Sequence, residues 1–209
     1  STPLDTRVFE AMKPFFFEQF GNASSVHRYG HFADAAVTNA RDEIARLFSA
    51  VDYQVVFTSG GTESDNLALR GILGARMKPG LPRILTTPVE HSAVLATAKI
   101  LAEEGLCEVD LLPVDQFGSV DPKNVRRALR PETALVSVIY ANNEIGSINP
   151  IAEIGRMCRE SGVLFHSDAV QAAAHLPINV TEAAVDLLSI GAHKFYGPKG
   201  VGALLVVPG

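Results

Sequence analysis

Short β-branched or apolar runs recur along this chain, and most are followed by a stretch whose apolar residues step by three and four. Strands are expected at Gln54–Thr58, Arg83–Thr86, Glu108–Leu112, Ala134–Tyr140, Val163–Ser167, Asp186–Ile190 and Val201–Val207. Ala33, Ala36, Val37, Ala40, Ile44, Leu47 and Phe48 trace one helical face, and Ile151, Ile154, Met157 and Cys158 trace another. Asp121-Pro122 reads as an N-cap followed by proline in the first turn of a short helix through Leu129. Strands this apolar, alternating with helices, predict a mostly parallel sheet covered on both faces. The expected fold is therefore α/β, a three-layer αβα sandwich around a mostly parallel seven-stranded sheet. The last strand follows a Gly/Pro loop with no crossover helix, so it is expected to run antiparallel. Residues 1–20, aromatic and proline-bearing through Phe15-Phe16-Phe17, read as an arm, and residues 21–209 as the main domain.

Composition narrows the function classes. Eighteen Lys+Arg against 23 Asp+Glu leave a formal charge of −5, with no basic block to suit nucleic acid or an anionic membrane. No apolar run reaches the roughly 18–20 residues of a membrane span, and no secretory leader is recognisable. Two cysteines, Cys107 and Cys158, cannot build a disulfide framework, which favours a reducing cytoplasm. Both sit in apolar surroundings and read as inert core thiols. The chain opens at Ser1-Thr2-Pro3 and stops at Val207-Pro208-Gly209, and reads as a piece of something longer.

In sheets of this kind ligands bind beyond the carboxyl ends of the strands, and four loops there carry chemistry. The first, Thr58-Ser59-Gly60-Gly61-Thr62-Glu63, runs straight into a helix. Its glycines allow a tight turn, the helix start presents free N–H groups, and Thr62 adds a hydroxyl, so it reads as a phosphate cradle. It has neither Rossmann nor P-loop spacing, and a plain glycine turn capped by Thr62 is the alternative. The second, Thr86-Thr87-Pro88-Val89-Glu90-His91-Ser92, puts His91 at a strand–helix junction, where it can cap, stack on a planar ligand or shuttle a proton. In the third, Tyr140-Ala141-Asn142-Asn143-Glu144-Ile145-Gly146, the asparagines either form the turn or orient a ligand. The fourth, Phe165-His166-Ser167-Asp168-Ala169-Val170-Gln171, ends a buried strand on Asp168, a carboxylate that needs a cationic partner unless it caps a helix. His166 is expected on the opposite side from Asp168, in a structural role.

Lys194 lies just past another buried strand, in Gly191-Ala192-His193-Lys194-Phe195-Tyr196-Gly197-Pro198-Lys199-Gly200. Its neighbours limit its solvation, the setting an imine-forming lysine needs, whereas Lys199 is expected to reach solvent. A phosphate cradle, an acid suited to a ring nitrogen, an imine lysine and a His and Asn at the rim together fit pyridoxal phosphate. The set calls for no metal.

These segments, in this order, resemble the class V aminotransferase family of fold-type I pyridoxal-phosphate enzymes, and cysteine desulfurases most of all. Gly21-Asn22-Ala23-Ser24-Ser25 with His27-Arg28 also resembles a family loop, with Ala23 where the family usually has Pro. The resemblance implies that Lys194 carries the imine, Asp168 partners the pyridine nitrogen and Gln171 the ring hydroxyl. It implies that His91 stacks on the ring and assists proton transfer, that Asn143 holds the ring edge, and that Gly61, Thr62 and His193 bind the phosphate. Gly191 stands where the family often has a phosphate-binding Ser. The resemblance further implies L-cysteine as substrate, alanine and a persulfide as products, an iron–sulfur scaffold or other sulfur acceptor as partner, and a homodimer. The persulfide Cys and a substrate-gripping Arg would lie downstream in a C-terminal domain, leaving residues 1–209 alone inactive. Selenocysteine lyase, another class V aminotransferase-type enzyme and a folded non-catalytic interaction module remain the alternatives.

Overall fold

The computed structural model describes residues 1–75 and 80–208; residues 76–79 and Gly209, within the expected 21–209 domain, lie outside the described residues. The chain runs through α1 (Thr6–Phe17), α2 (Arg28–Leu47), β1 (Gln54–Thr58), α3 (Gly61–Ala75), β2 (Arg83–Thr86), α4 (Ser92–Glu103) and β3 (Glu108–Leu111). It continues with α5 (Pro122–Ala128), β4 (Thr133–Ser137), α6 (Ile151–Glu160), β5 (Leu164–Asp168), β6 (Leu187–Gly191), a 3-10 turn over Ala192–Lys194, and β7 (Gly202–Val206). All seven expected strands are present, with ends within one or two residues except at β4. That strand closes at Ser137, yet the amides of Val138 and Tyr140 still donate to the carbonyls of His166 and Asp168. Asp121 caps α5 through the Lys123 amide with Pro122 in the first turn, as its sequence requires.

The strands form one sheet in the order β1-β7-β6-β5-β4-β2-β3. β2, β3, β4, β5 and β6 pair in parallel, while β7 runs antiparallel to both β1 and β6. One face carries Ile84, Leu135, Leu187 and Leu204 against Ala68, Leu69 and Ile72 of α3 and Val94, Ala98 and Leu101 of α4. The other carries Leu85, Val136, Phe165, Leu188 and Leu205 against Val125 of α5, Ile154 and Cys158 of α6 and Ala45 of α2. These are the three layers expected, and alternate residues of each central strand serve opposite cores because strand side chains have period two.

Two parts of the chain depart from the regular strand–helix alternation. The β5–β6 connection contains no helix: turns around residues 170–175 and 180–184 bury Ala169, Ala172, Val180, Ala183 and Ala184 instead. Small side chains let this loop lie flat, and a Cβ on Gly155 of α6 would stand 2.1 Å from the Ala183 carbonyl oxygen. The apolar face of α2 is only half covered, with Leu47 exposed, and α1 buries none of its residues although Phe15, Phe16 and Phe17 are exposed on or beside it. Residues 1–5 do pack: the Thr2 amide donates to the His193 carbonyl, the Tyr196 amide to Thr2 Oγ1, and the Asp5 amide to the Tyr196 carbonyl.

Candidate active site

Parallel β1, β2, β4, β5 and β6 end at one rim of the sheet, and a cavity of about 310 Å³ opens there. Gly61, Thr62, His91, Asn143, Asp168, Gln171, His193 and Lys194 all line it. The structure thus brings together every residue singled out from the sequence as a site candidate.

The β1–α3 turn is held from within. Thr58 Oγ1 donates to the Gly60 carbonyl and shares a hydrogen bond with Ser64 Oγ, and the Ser59 amide donates to Glu63 Oε2 at 2.6 Å. The Ser59 side chain first, and then this amide, hold the Glu63 carboxyl below its usual range. Gly60 has φ +151°, a backbone open to glycine, and a Cβ on Gly61 would lie 2.4 Å from Val170 Cγ2. A Cβ on Gly202 would collide with the Gly60 backbone at 2.7 Å, so β7 can begin beneath the turn only as glycine. Helix α3 starts at Gly61, so Thr62 stands in its first turn rather than capping it, and the first-turn amides have no intrahelical acceptor.

His91 does cap α4: its Nδ1 accepts the Ala93 amide at 3.1 Å, which leaves the proton on Nε2. Capping and lining the cavity are compatible, because they use different edges of the ring. The two asparagines divide their work. Asn142 is buried and ties its loop together, donating from Nδ2 to the Val89 carbonyl and accepting the Glu144 and Ile145 amides. Asn143 is exposed at the cavity with its amide available.

Asp168 is 4% exposed and accepts the Val170 amide at 2.9 Å. Burial pushes its carboxyl above the ordinary range, opposed by that amide and by the His91 and Lys194 side chains. The neighbouring Gln171 Oε1 is buried without a hydrogen-bond partner. Lys194 is half-buried in the 3-10 turn, whose loop is anchored by Thr2 and Asp5 as described. His193 Nδ1 shares a 3.0 Å hydrogen bond with Ser1 Oγ, and burial lowers the imidazole's pKa, helped by the Lys194 charge. Gly191 faces the turn: a Cβ there would sit 3.4 Å from the Gly61 amide nitrogen. A bare position 191 therefore keeps the amide cradle open.

Sequence reasoning placed His166 wrongly. It stands two residues before Asp168 on the same strand, so period two puts both on the α3 face. It is structural nonetheless, fully buried, with Nδ1 bonded to Ser137 Oγ and Nε2 to Ser189 Oγ at 2.8 and 2.9 Å. Asp65 and Glu90 lie in motifs that carry the resemblance but have no role in the sequence reading, and the structure brings Asp65 to the cavity and Glu90 behind it. Asp65, 1% exposed, lines the cavity from α3, with ligand atoms of Asp65, His91 and Asp168 all within 4.8 Å of one another. Its signal was available: Asp65 shares a helical face with Ala68, Leu69 and Ile72, an apolar stripe where a carboxylate is out of place. Glu90 is buried, accepting Thr87 Oγ1 and the Ile139 amide at 2.8 Å each, and burial pushes its carboxyl up to about 8.

The residues fit pyridoxal phosphate: an amide cradle that a side chain would fill, a buried acid at the floor, an orphaned acceptor beside it and an amine at the wall. Cys107 and Cys158 line no part of the cavity. Both are buried, and burial raises both thiols, Cys158 to about 12. Among the described residues no helix is long and apolar enough to cross a membrane.

Residues 1–208 match the family model "Aminotransferase class-V". The chain is 50% identical over 209 residues to cysteine desulfurase IscS of Dictyoglomus turgidum, covering all of this chain and 52% of that protein. A solved NifS-like protein superposes with a TM-score of 0.94 at 37% identity, covering 100% of this chain and 57% of the other. The solved structure of SspA in complex with cysteine gives a TM-score of 0.93 at 38% identity, covering 99% and 59%. The chain spans about half the length of the curated relatives it matches.

Proposed function

This chain belongs to the class V aminotransferase family, and from that membership we propose that it is the cofactor-holding part of a pyridoxal-phosphate-dependent cysteine desulfurase. The observation that carries the reading is the convergence of the buried Asp168 carboxylate, the orphaned Gln171 Oε1 and the Lys194 amine on one cavity whose mouth is a glycine-built amide cradle. Names borne by relatives at about half identity support the same choice of reaction.

In this reading residues 1–20 are an arm and residues 21–209 the cofactor domain. When bound, pyridoxal phosphate supplies an electron sink for charge developing on an amino-acid substrate. The chain's own residues bind and orient it. The first-turn amides of α3 at Gly61, the Thr62 hydroxyl and His193 hold the phosphate, favoured by the positive end of the helix. Asp168 holds a proton on the ring nitrogen, Gln171 accepts the ring hydroxyl, and Asn143 bounds the ring edge. Lys194 supplies the covalent attachment and moves the substrate's α-proton. His91, whose Nδ1 is committed to the Ala93 amide, stacks on the ring and assists through Nε2. Neither Cys107 nor Cys158 is a candidate for the sulfur-accepting thiol, since both are buried away from the cavity; that thiol lies outside residues 1–209. L-cysteine as substrate, an iron–sulfur scaffold or other acceptor protein as sulfur recipient, a homodimer and a cytoplasmic location complete the proposal.

The test is the visible absorption of this chain with added pyridoxal phosphate, before and after borohydride, beside Lys194→Ala. A band that borohydride fixes in the unmodified chain and not in the variant is the expected result. Equal fixation in Lys194→Ala overturns the assignment of the attachment point.

A further inference from the structure

Beneath the cavity floor lies a row of polar groups that the proposed reaction does not use. Ser137 on β4, His166 on β5 and Ser189 on β6 point to the α3 face and are linked across three adjacent strands at 2.8 and 2.9 Å. Asp65 comes down from α3 onto this row, its Oδ1 3.6 Å from His166 Nε2 and without a hydrogen-bond partner. Asp168, two residues beyond His166, lies beside it, and buried Glu90 is a third acid nearby. The Lys194 ammonium is the cation nearby, and it and the His91 imidazole both favour the charge on Asp168.

Two carboxyls this close, out of water, do not both ionise. The surroundings of the pair are unequal. Asp168 accepts a backbone amide, and the Lys194 ammonium and the His91 imidazole both favour its charge. Asp65 faces Asp168 and Glu90, both of which oppose its charge, with the Ser189 hydroxyl the one nearby group favouring it. His166 offers it no cation. Both ring nitrogens are engaged by serine hydroxyls, and complete burial lowers the imidazole to about 3. We infer that Asp65 is a neutral, proton-bearing carboxylic acid in the folded chain, a positioning residue that leaves the single negative charge of the Asp65–Asp168 pair on Asp168.

The consequence is specific to a site for a protonated ring nitrogen, and to that extent rests on the reading above. An ionised Asp65 would drive the proton onto Asp168 and turn the ring's counter-ion into a neutral acid. With Asp65 protonated, the cavity floor presents one anion, on the side chain that reaches the ligand.

The test does not require the cofactor. Infrared spectra of the cofactor-free chain at neutral pH, labelled with carboxyl-¹³C aspartate, isolate aspartic acids from Glu90 by isotope shift. The expected result is one isotope-shifted acid carbonyl band, lost in Asp65→Asn and kept in Asp168→Asn. Pyridoxal phosphate affinity supplies the second readout. Asp65→Asn, whose amide is neutral like the acid it replaces, should bind within about threefold of the unmodified chain, while Asp168→Asn loses more than about tenfold. Absence of the isotope-shifted band in the unmodified chain overturns the proposal without recourse to any variant. Its loss in Asp168→Asn rather than Asp65→Asn, or an imidazolium signal from His166 in ¹⁵N spectra, overturns it too. A chain with the Asp65 band but no cofactor binding would refute the proposed function and leave this inference standing.

Discussion

The two walls of the cavity are made of different material. On the β1–α3 side, Gly60, Gly61 and the start of α3 offer backbone amides at the mouth, and the side chains there serve to hold the turn in shape. At the floor, Asp168 from β5 and Asp65 from farther along α3, with Glu90 behind them, place nearly fully buried carboxyls. The first wall draws on partial charges that every peptide carries, so its sequence demand is for space and backbone freedom. The second draws on desolvated side chains whose charge states depend on one another, so its demand is for particular atoms. Added bulk should injure the first wall, and lost chemistry the second.

The largest effect should come from deleting chemistry at the floor. Asp168→Ala is expected to weaken pyridoxal phosphate binding by about 30-fold or more, the cost of about 2–5 kcal/mol typical when one partner of a buried charge pair is removed. Fluorescence titration measures it, and an unchanged affinity would erase the distinction between the walls. Next is bulk at the mouth. Gly61→Val puts a branched side chain where even a Cβ meets Val170 at 2.4 Å, and should lower stability by about 1–3 kcal/mol in urea unfolding. Retained stability with lost phosphate affinity would instead assign Gly61 a purely local role.

The floor should also make the fold sensitive to alkali. Glu90 is raised to about 8 by burial, so the folded chain binds a proton that the unfolded chain has already released. Its contribution to stability is complete below the ordinary glutamate range near pH 4.5 and is lost as pH rises to about 8. Unfolding midpoints should therefore fall between those values, and Glu90→Gln should flatten the profile by the slope of one proton. A smaller effect is expected at Thr62→Val, which removes one hydroxyl from a wall of amides: about 1 kcal/mol, or some fivefold, in phosphate affinity. The smallest lies outside both walls. Cys107 and Cys158 should stay unmodified by iodoacetamide in the native chain and react after unfolding, since their thiols are buried and raised.

How legible each part was follows the same division. Strands and most helices were readable because burial on two faces leaves a local apolar rhythm, as in Leu135-Val136 or Ile154 with Cys158. The β5–β6 connection was not, because Ala169, Ala172, Ala183 and Ala184 are buried without any helical period. At the mouth, the glycines announced the turn and the helix start. At the floor, Asp168 stands out at a strand end, but Asp65 has no role to read from its place within a helix, and the expectation for His166 neglects the strand's own period.

From the order of residues alone come the α/β class, the shared rim of strand ends and the candidates Gly61, Thr62, His91, Asn143, Asp168 and Lys194, since each depends on neighbours a few positions apart; the resemblance to a known family added Gln171 and His193. The tertiary structure decided the strand order that inserts β7 between β1 and β6. It also laid Thr2 and Asp5 across the Lys194 loop, a contact between opposite ends of the chain. It decided, finally, which acid is charged. The ionisation of a carboxyl is set by the water it loses and the charges it meets, and Asp65 meets Asp168 only once α3 has packed onto the sheet.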